Sequence, residues 1–133
     1  MSPDPLRTDQ RKVRILRIQD AEGRGPYRPG MSQHWVDDHG PPPPPPIFVE
    51  FGTEIFNQLS PEECMGCGFR TMDQLNKWFT KSELRKMKAL GYQLVVLWVD
   101  RVVAESAHQV VFARKKPLAD SATVMAMPYE ARA

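Results

Sequence analysis

The chain has 133 residues, enough for one domain around one core. Apolar residues make up 41% and charged residues 26%, and 18 basic against 16 acidic side chains leave a formal charge of only +2. That balance does not by itself point to nucleic acid, no run approaches the roughly 18 apolar residues of a membrane helix, and the polar first fifteen residues hold no signal-peptide core, so the expectation is a cytoplasmic protein with reduced cysteines.

Residues 1–12 read as a flexible N-terminal segment and 13–133 as a single α+β domain. "VRILRI" (13–18) predicts a strand, with Arg14 and Arg17 set between apolar residues and at least one arginine facing away from the apolar side. Residues 19–35 hold three glycines and two prolines and read as irregular. "GPPPPPP" (40–46) predicts a stiff polyproline loop at roughly 3.1 Å per residue. It lacks the flanking basic residues of an SH3 ligand, so it reads as a surface loop. "IFVEF" (47–51) predicts a second strand, and "TEIFNQL" (53–59) a short helix capped by Thr53.

Three capping boxes follow. Ser60-Pro61-Glu62-Glu63 has room for one turn before Gly66. Thr71-Met72-Asp73-Gln74 opens a helix to about Phe79, with Met72, Leu75 and Phe79 inward and Trp78 alongside. Thr80-Lys81-Ser82-Glu83 opens another, with Leu84, Met87 and Leu90 inward and Gly91 as its stop. "YQLVVLWV" (92–99) is apolar almost throughout, the pattern of a central strand covered on both faces. A polar link (100–109) leads to the strand "VVFAR" (110–114), and "TVMAM" (123–127) supplies an edge strand or an ordered tail. The class is α+β, a small mixed β-sheet with short helices packed on it.

Chemistry has few places to reside. Cys64-x-x-Cys67 supplies two of the four ligands that zinc needs, and His34, His39 and His108 have no paired spacing. Gly66 and Gly68 break the helix a redox CxxC would open, so the pair reads as two free thiols in a tight turn. "GRGPYRPG" (23–30) lets backbone amides approach a phosphate, with Arg24 and Arg28 as cations, but no P-loop or dinucleotide fingerprint is present. Thr71 caps a helix whose free amides favour an anion if they line a cleft. Glu105, Ser106, His108 and Gln109 crowd polar groups onto the lip of the strand at 110, where alternation turns His108 away from Gln109.

Taken together, "LRIQDAEGRGPY", "FRTMDQLNKWF" and "AHQVVF" resemble the ADP-ribosyltransferase superfamily of the Arg-Ser-Glu type. The resemblance covers about half the chain and implies an NAD cleft. Arg17 with Gly23, Arg24 and Gly25 would bind the diphosphate, and Thr71 would place the nicotinamide ribose. Glu105 and Gln109 would address the reacting carbon, with the 100–108 link facing a macromolecular acceptor. The sequence departs from the pattern where Gln109 stands at the usual catalytic glutamate and Ala107 two residues before it. An amide supplies no charge to an oxocarbenium-like state, a loss on the order of 10²–10³ in rate. Transfer of ADP-ribose, hydrolysis of NAD and binding alone therefore all stay open.

Two rivals stand beside it. The small size, polyproline loop, degenerate acid position and surface tryptophan candidates Trp35 and Trp78 fit a non-enzymatic inhibitor or adaptor that binds a host protein, in the manner of phage and prophage proteins. A zinc-stabilised nucleic-acid module is the third reading.

Overall fold

A computed structural model describes residues 12–27, 30–37 and 47–130. The polyproline loop, Arg28, His39 and the first eleven residues lie outside them. Strand β1 (Val13–Gln19) pairs antiparallel with β3 (Gln93–Val99), from Val13 opposite Val99 to Gln19 opposite Gln93. The short strand β6 (Thr123–Met125) covers the other edge of β3. A second sheet runs β2 (Cys64–Gly68), β5 (Val110–Arg114), β4 (Arg101–Glu105), again antiparallel. The α+β class is what the chain adopts, its described strands forming two antiparallel sheets. One bridge joins them: Leu16 and Phe69 exchange two backbone hydrogen bonds of 2.7 Å.

The continuous apolar run of β3 has the reason anticipated for it. Its odd positions, Val95, Leu97 and Val99, meet Ile15 of β1 and Val110 and Phe112 of β5 between the sheets. Its even positions, Leu94 and Val96, join Leu16 and Ile18 under the helices. There they meet Leu75 and Phe79 from the segment of helix α2 (Met72–Trp78), and Leu84 and Met87 of α3 (Lys81–Ala89). The first sheet is thus the middle of three layers, and each large side chain fully buried in it contributes about 1.5–3 kcal/mol.

Both helices start in capping boxes. Thr71 Oγ1 accepts from the Gln74 N–H at 3.2 Å, and Gln74 Oε1 accepts from the Thr71 N–H at 3.3 Å. Thr80 and Glu83 repeat the exchange at 3.0 and 2.9 Å. Helix α3 ends in a Schellman motif: Gly91, at φ +98°, donates to Lys88 O, and Tyr92 donates to Met87 O. No helix among the described residues is long and apolar enough to cross a membrane.

Several local expectations change. The described strands form two antiparallel sheets, not one mixed sheet. Leu90 is 42% exposed, not inward, because it follows the last turn of α3. Thr53 opens a 3₁₀ turn (Thr53–Gln58) without capping it, Gly52 standing at the cap position. "IFVEF" is helix α1 (Ile47–Phe51), not a strand. A strand would have shared one face among Ile47, Val49 and Phe51, yet Val49 is 62% exposed; the helix instead aligns Ile47 with Glu50. Cys64–Gly68 is strand β2, not a turn. Its Gly68 is needed for close approach, since a Cβ there would lie 2.4 Å from Leu16 O. The 100–109 link contains β4, with a bulge between Val102 and Ala104. Trp35 is buried, its Nε1 donating to Pro26 O at 3.0 Å, and the exposed tryptophan is Trp98.

Candidate functional site

Alternation along β1 carries Arg17 inward. Ile15 lies in the inter-sheet core, so the next two odd positions, Arg17 and Gln19, continue the same face and are buried. The guanidinium is fully engaged by neutral groups: Nε donates to Gln19 Oε1 (3.0 Å), one terminal nitrogen to Cys67 O (2.7 Å) and the other to Gly23 O (3.0 Å). Gln19 is itself fixed by its Nε2 donating to Leu118 O at 2.8 Å. Each of its three nitrogens thus has a neutral oxygen partner, and the Cys67 side chain is a further hydrogen-bonding partner. Burial draws the guanidinium pKa below its ordinary value, with Cys67 and Asp20 opposing.

Arg17 lines a hollow of about 240 Å³. Its walls are aromatic, with Tyr27, Phe69, Trp78 and Phe79 at centroid distances of 5.0–6.3 Å from one another where they meet. Ile47 of α1 and Met65 of β2 add aliphatic surface, and Cys67 and Gly25 complete it beside the guanidinium. A Cβ on Gly25 would stand 3.5 Å from an Arg17 terminal nitrogen, so the missing side chain is what leaves the cation open on that side. Burial pushes the Cys67 thiol up, with the Arg17 charge pulling the other way. Cys64 is also a free thiol, but three residues along a strand place the two on opposite faces. Among the described residues no cluster of three or more His, Cys, Asp or Glu side chains could hold a metal.

The rest of the glycine loop is tied to itself. Asp20 accepts from the Glu22 and Arg24 N–H groups at 3.0 and 2.9 Å, and the Arg24 side chain is paired with both Asp20 and Glu22. Gly23 contributes its carbonyl to Arg17, while Arg24 is turned outward by its two carboxylate partners.

A second polar cluster forms at the lip, and its centre is a residue the sequence reading passed over. Glu50 of α1 accepts from Ser106 Oγ and Gln109 Nε2, both 2.9 Å to Oε1, and its Oε2 lies 2.9 Å from His108 Nδ1. His108 therefore converges with Gln109 instead of pointing away, because the segment turns before β5 begins. Ser106 Oγ also accepts from the His108 and Gln109 N–H groups, closing the turn. Burial alone would raise the Glu50 carboxyl, but the hydrogen bonds from Gln109, His108 and Ser106 outweigh it and hold it below its ordinary value. The signal was present: Glu50 is the one charged residue in an apolar run.

Glu105 leans the other way, onto Arg70, whose terminal nitrogen donates to Oε1 at 2.9 Å; that hydrogen bond lowers the carboxyl pKa. Gln74 Nε2 donates to Ala107 O at 3.2 Å, so the Thr71 helix start and the lip do adjoin. The structure thus assembles two groups. Arg17, Gly25 and Cys67 line the hollow, and Gly23 lies behind it, bonded to Arg17 through its carbonyl. Thr71, Glu105 and Gln109 gather at the lip, and none of these three lines the hollow.

A model of the family described as Bacteriophage T4 Y00F protein matches residues 11–126. No curated protein and no solved structure matches the chain.

Proposed function

The chain belongs to the Bacteriophage T4 Y00F protein family, and on that premise we propose that it works by binding a host protein, without catalysis, through the hollow over Arg17. The observation that carries this reading is the buried guanidinium: a fixed cation held by neutral groups, with no carboxylate bonded to it among the described residues, framed by aromatic walls. Such a pocket suits a partner's anionic group with an apolar body. The lip adds support by its engagement. Glu105 is held by Arg70, Gln109 by Glu50, and Thr71 by its helix cap, so each has a structural partner.

The test is capture from host lysate by the wild type and by Gly25→Leu, which fills the hollow while keeping Arg17. A stoichiometric partner retained by the wild type and lost by the variant supports the reading. Equal capture by both removes the hollow from recognition.

One observation favours the NAD reading as a second: Arg17 and Gly25 line the hollow side by side, a cation beside a residue without a side chain. At about 240 Å³ the hollow holds part of a dinucleotide, below the roughly 300–1,000 Å³ of ordinary ligand pockets. Calorimetric titration with NAD decides it. Heat that disappears in Gly25→Leu supports NAD as the ligand, and no heat with the wild type ends that reading.

A further inference from the structure

Two groups on the hollow's wall have complementary chemistry. Arg17 presents a buried cation, and Cys67, half-buried on the neighbouring strand, presents the one thiol that lines the same space. The two residues are locked together, since the guanidinium donates to the Cys67 carbonyl at 2.7 Å. Cys64 lies on the opposite face of β2, outside the hollow, and serves as an internal reference. We propose that Cys67 is a modification site for small electrophiles that carry a carboxylate, with Arg17 seating the carboxylate beside the sulfur.

This rests on the reading of the hollow as the recognition pocket and specifies its ligand. The guanidinium has no carboxylate bonded to it among the described residues, so its charge is available to an anionic reagent held beside the sulfur. Arg17 itself is buried, so a charge-assisted contact to it keeps more of its strength than at an open surface. The thiol is shielded by the same burial, which keeps its reaction slow unless a reagent is held in place. Selectivity therefore comes from the seat and not from an unusually acidic thiol.

Iodoacetate and iodoacetamide provide the probe, being nearly equal in size and differing in charge. In either case the sulfur attacks the methylene carbon and the carbon–iodine bond breaks. Iodide leaves with the bonding pair, and the thiol proton passes to buffer. The native full chain is alkylated at neutral pH, and peptide mass spectrometry follows Cys64 and Cys67 separately. The iodoacetate-to-iodoacetamide rate ratio is expected to be about tenfold or more higher at Cys67 than at Cys64, the low end for a charge-assisted contact. Phenylacetate is expected to protect Cys67 from iodoacetamide, and phenylacetamide is not.

Arg17→Gln should bring the Cys67 ratio down to that of Cys64. The phenylacetate arm needs no variant, so the test stands even if Arg17→Gln fails to fold. Equal ratios at the two cysteines, absence of protection, or a Cys67 inert to both reagents would each overturn the proposal. Its failure is separable from that of the recognition reading. Equal ratios with lysate capture still lost in Gly25→Leu leave a binding pocket that is not a carboxylate seat. Capture unaffected by Gly25→Leu removes the partner whatever the ratios are.

Discussion

Gly68→Ala tests the seam between the two sheets. An ideal Cβ at this position would lie 2.4 Å from Leu16 O and 2.6 Å from Ile15 Cγ2. Neither neighbour yields cheaply: one is main chain of β1, and the other belongs to a fully buried β-branched side chain. Ordinary contact needs β1 and β2 to separate by about an ångström, which breaks the two hydrogen bonds between Leu16 and Phe69. Overpacking of this kind costs about 1–3 kcal/mol, and each lost bond about 0.5–1.5 kcal/mol. The sum centres on about 4 kcal/mol, or a fall in Tm of about 10–20 °C for a chain of this size. Gly52→Ala is the control, because Gly52 has φ +83° but nothing within 4 Å of its Cβ position. At ψ 162° it lies in a region open almost only to glycine, so it carries backbone strain of about 1–3 kcal/mol and no collision. Thermal and urea melts followed by circular dichroism compare the two. A Gly68→Ala loss no larger than that of Gly52→Ala would refute the close-approach reasoning.

Other outcomes follow from the same contacts. Thr71→Ala and Thr80→Ala each lose a helix cap worth about 1 kcal/mol. Thr80→Ala should cost more in a thermal melt, since Thr80 Oγ1 also donates to Asp37 Oδ2 at 2.6 Å. Glu50→Ala should destabilise by about 1–3 kcal/mol because buried Gln109 loses an acceptor, and Glu50→Gln should recover part of the loss in the same assay. The Glu63 carboxyl is held at about 2, below its ordinary 4.5, chiefly by hydrogen bonding from Arg101 and the Ser60 N–H. A depressed folded value gives stabilisation that is complete above about 4.5 and lost as pH falls toward 2. The Tm difference between wild type and Glu63→Gln should therefore close over that window, and a difference constant with pH would contradict it. Acrylamide quenching should act first on Trp98, at 52% exposed, and Trp98→Phe should remove the readily quenched fraction.

The parts of the fold readable beforehand are those that local chemistry decides. The boxes at Thr71 and Thr80 are complete within four residues, so their helices were visible with their starts. The run at 93–99 announced a two-sided strand because both parities are apolar. That same feature hid Arg17 in β1, where Ile15 and Leu16 face different cores and neither parity marks the outside. The strand at Cys64–Gly68 is obscured because its glycines read as turn residues, whereas Gly68 admits the backbone of β1 and Gly66 makes room for the Phe112 and Leu118 side chains. Helix α1 was misread because its amphipathic logic rests on Glu50 reaching Ser106, His108 and Gln109, a contact formed only in three dimensions. The hollow combines Tyr27, Ile47, Cys67 and Trp78 from four separate segments, and no spacing in the sequence announces such a gathering.

The pairing of Val13 with Val99 also sets a timetable. During synthesis β1 has no partner in its sheet until residues 93–99 have emerged, because β3 follows both longer helices, and β2 awaits β5. Long-range pairing of this kind slows folding and leaves apolar strands uncovered in the interval. The interval before closure is therefore the one in which aggregation competes with folding, and the yield of soluble protein should rise when chaperones are supplied during synthesis.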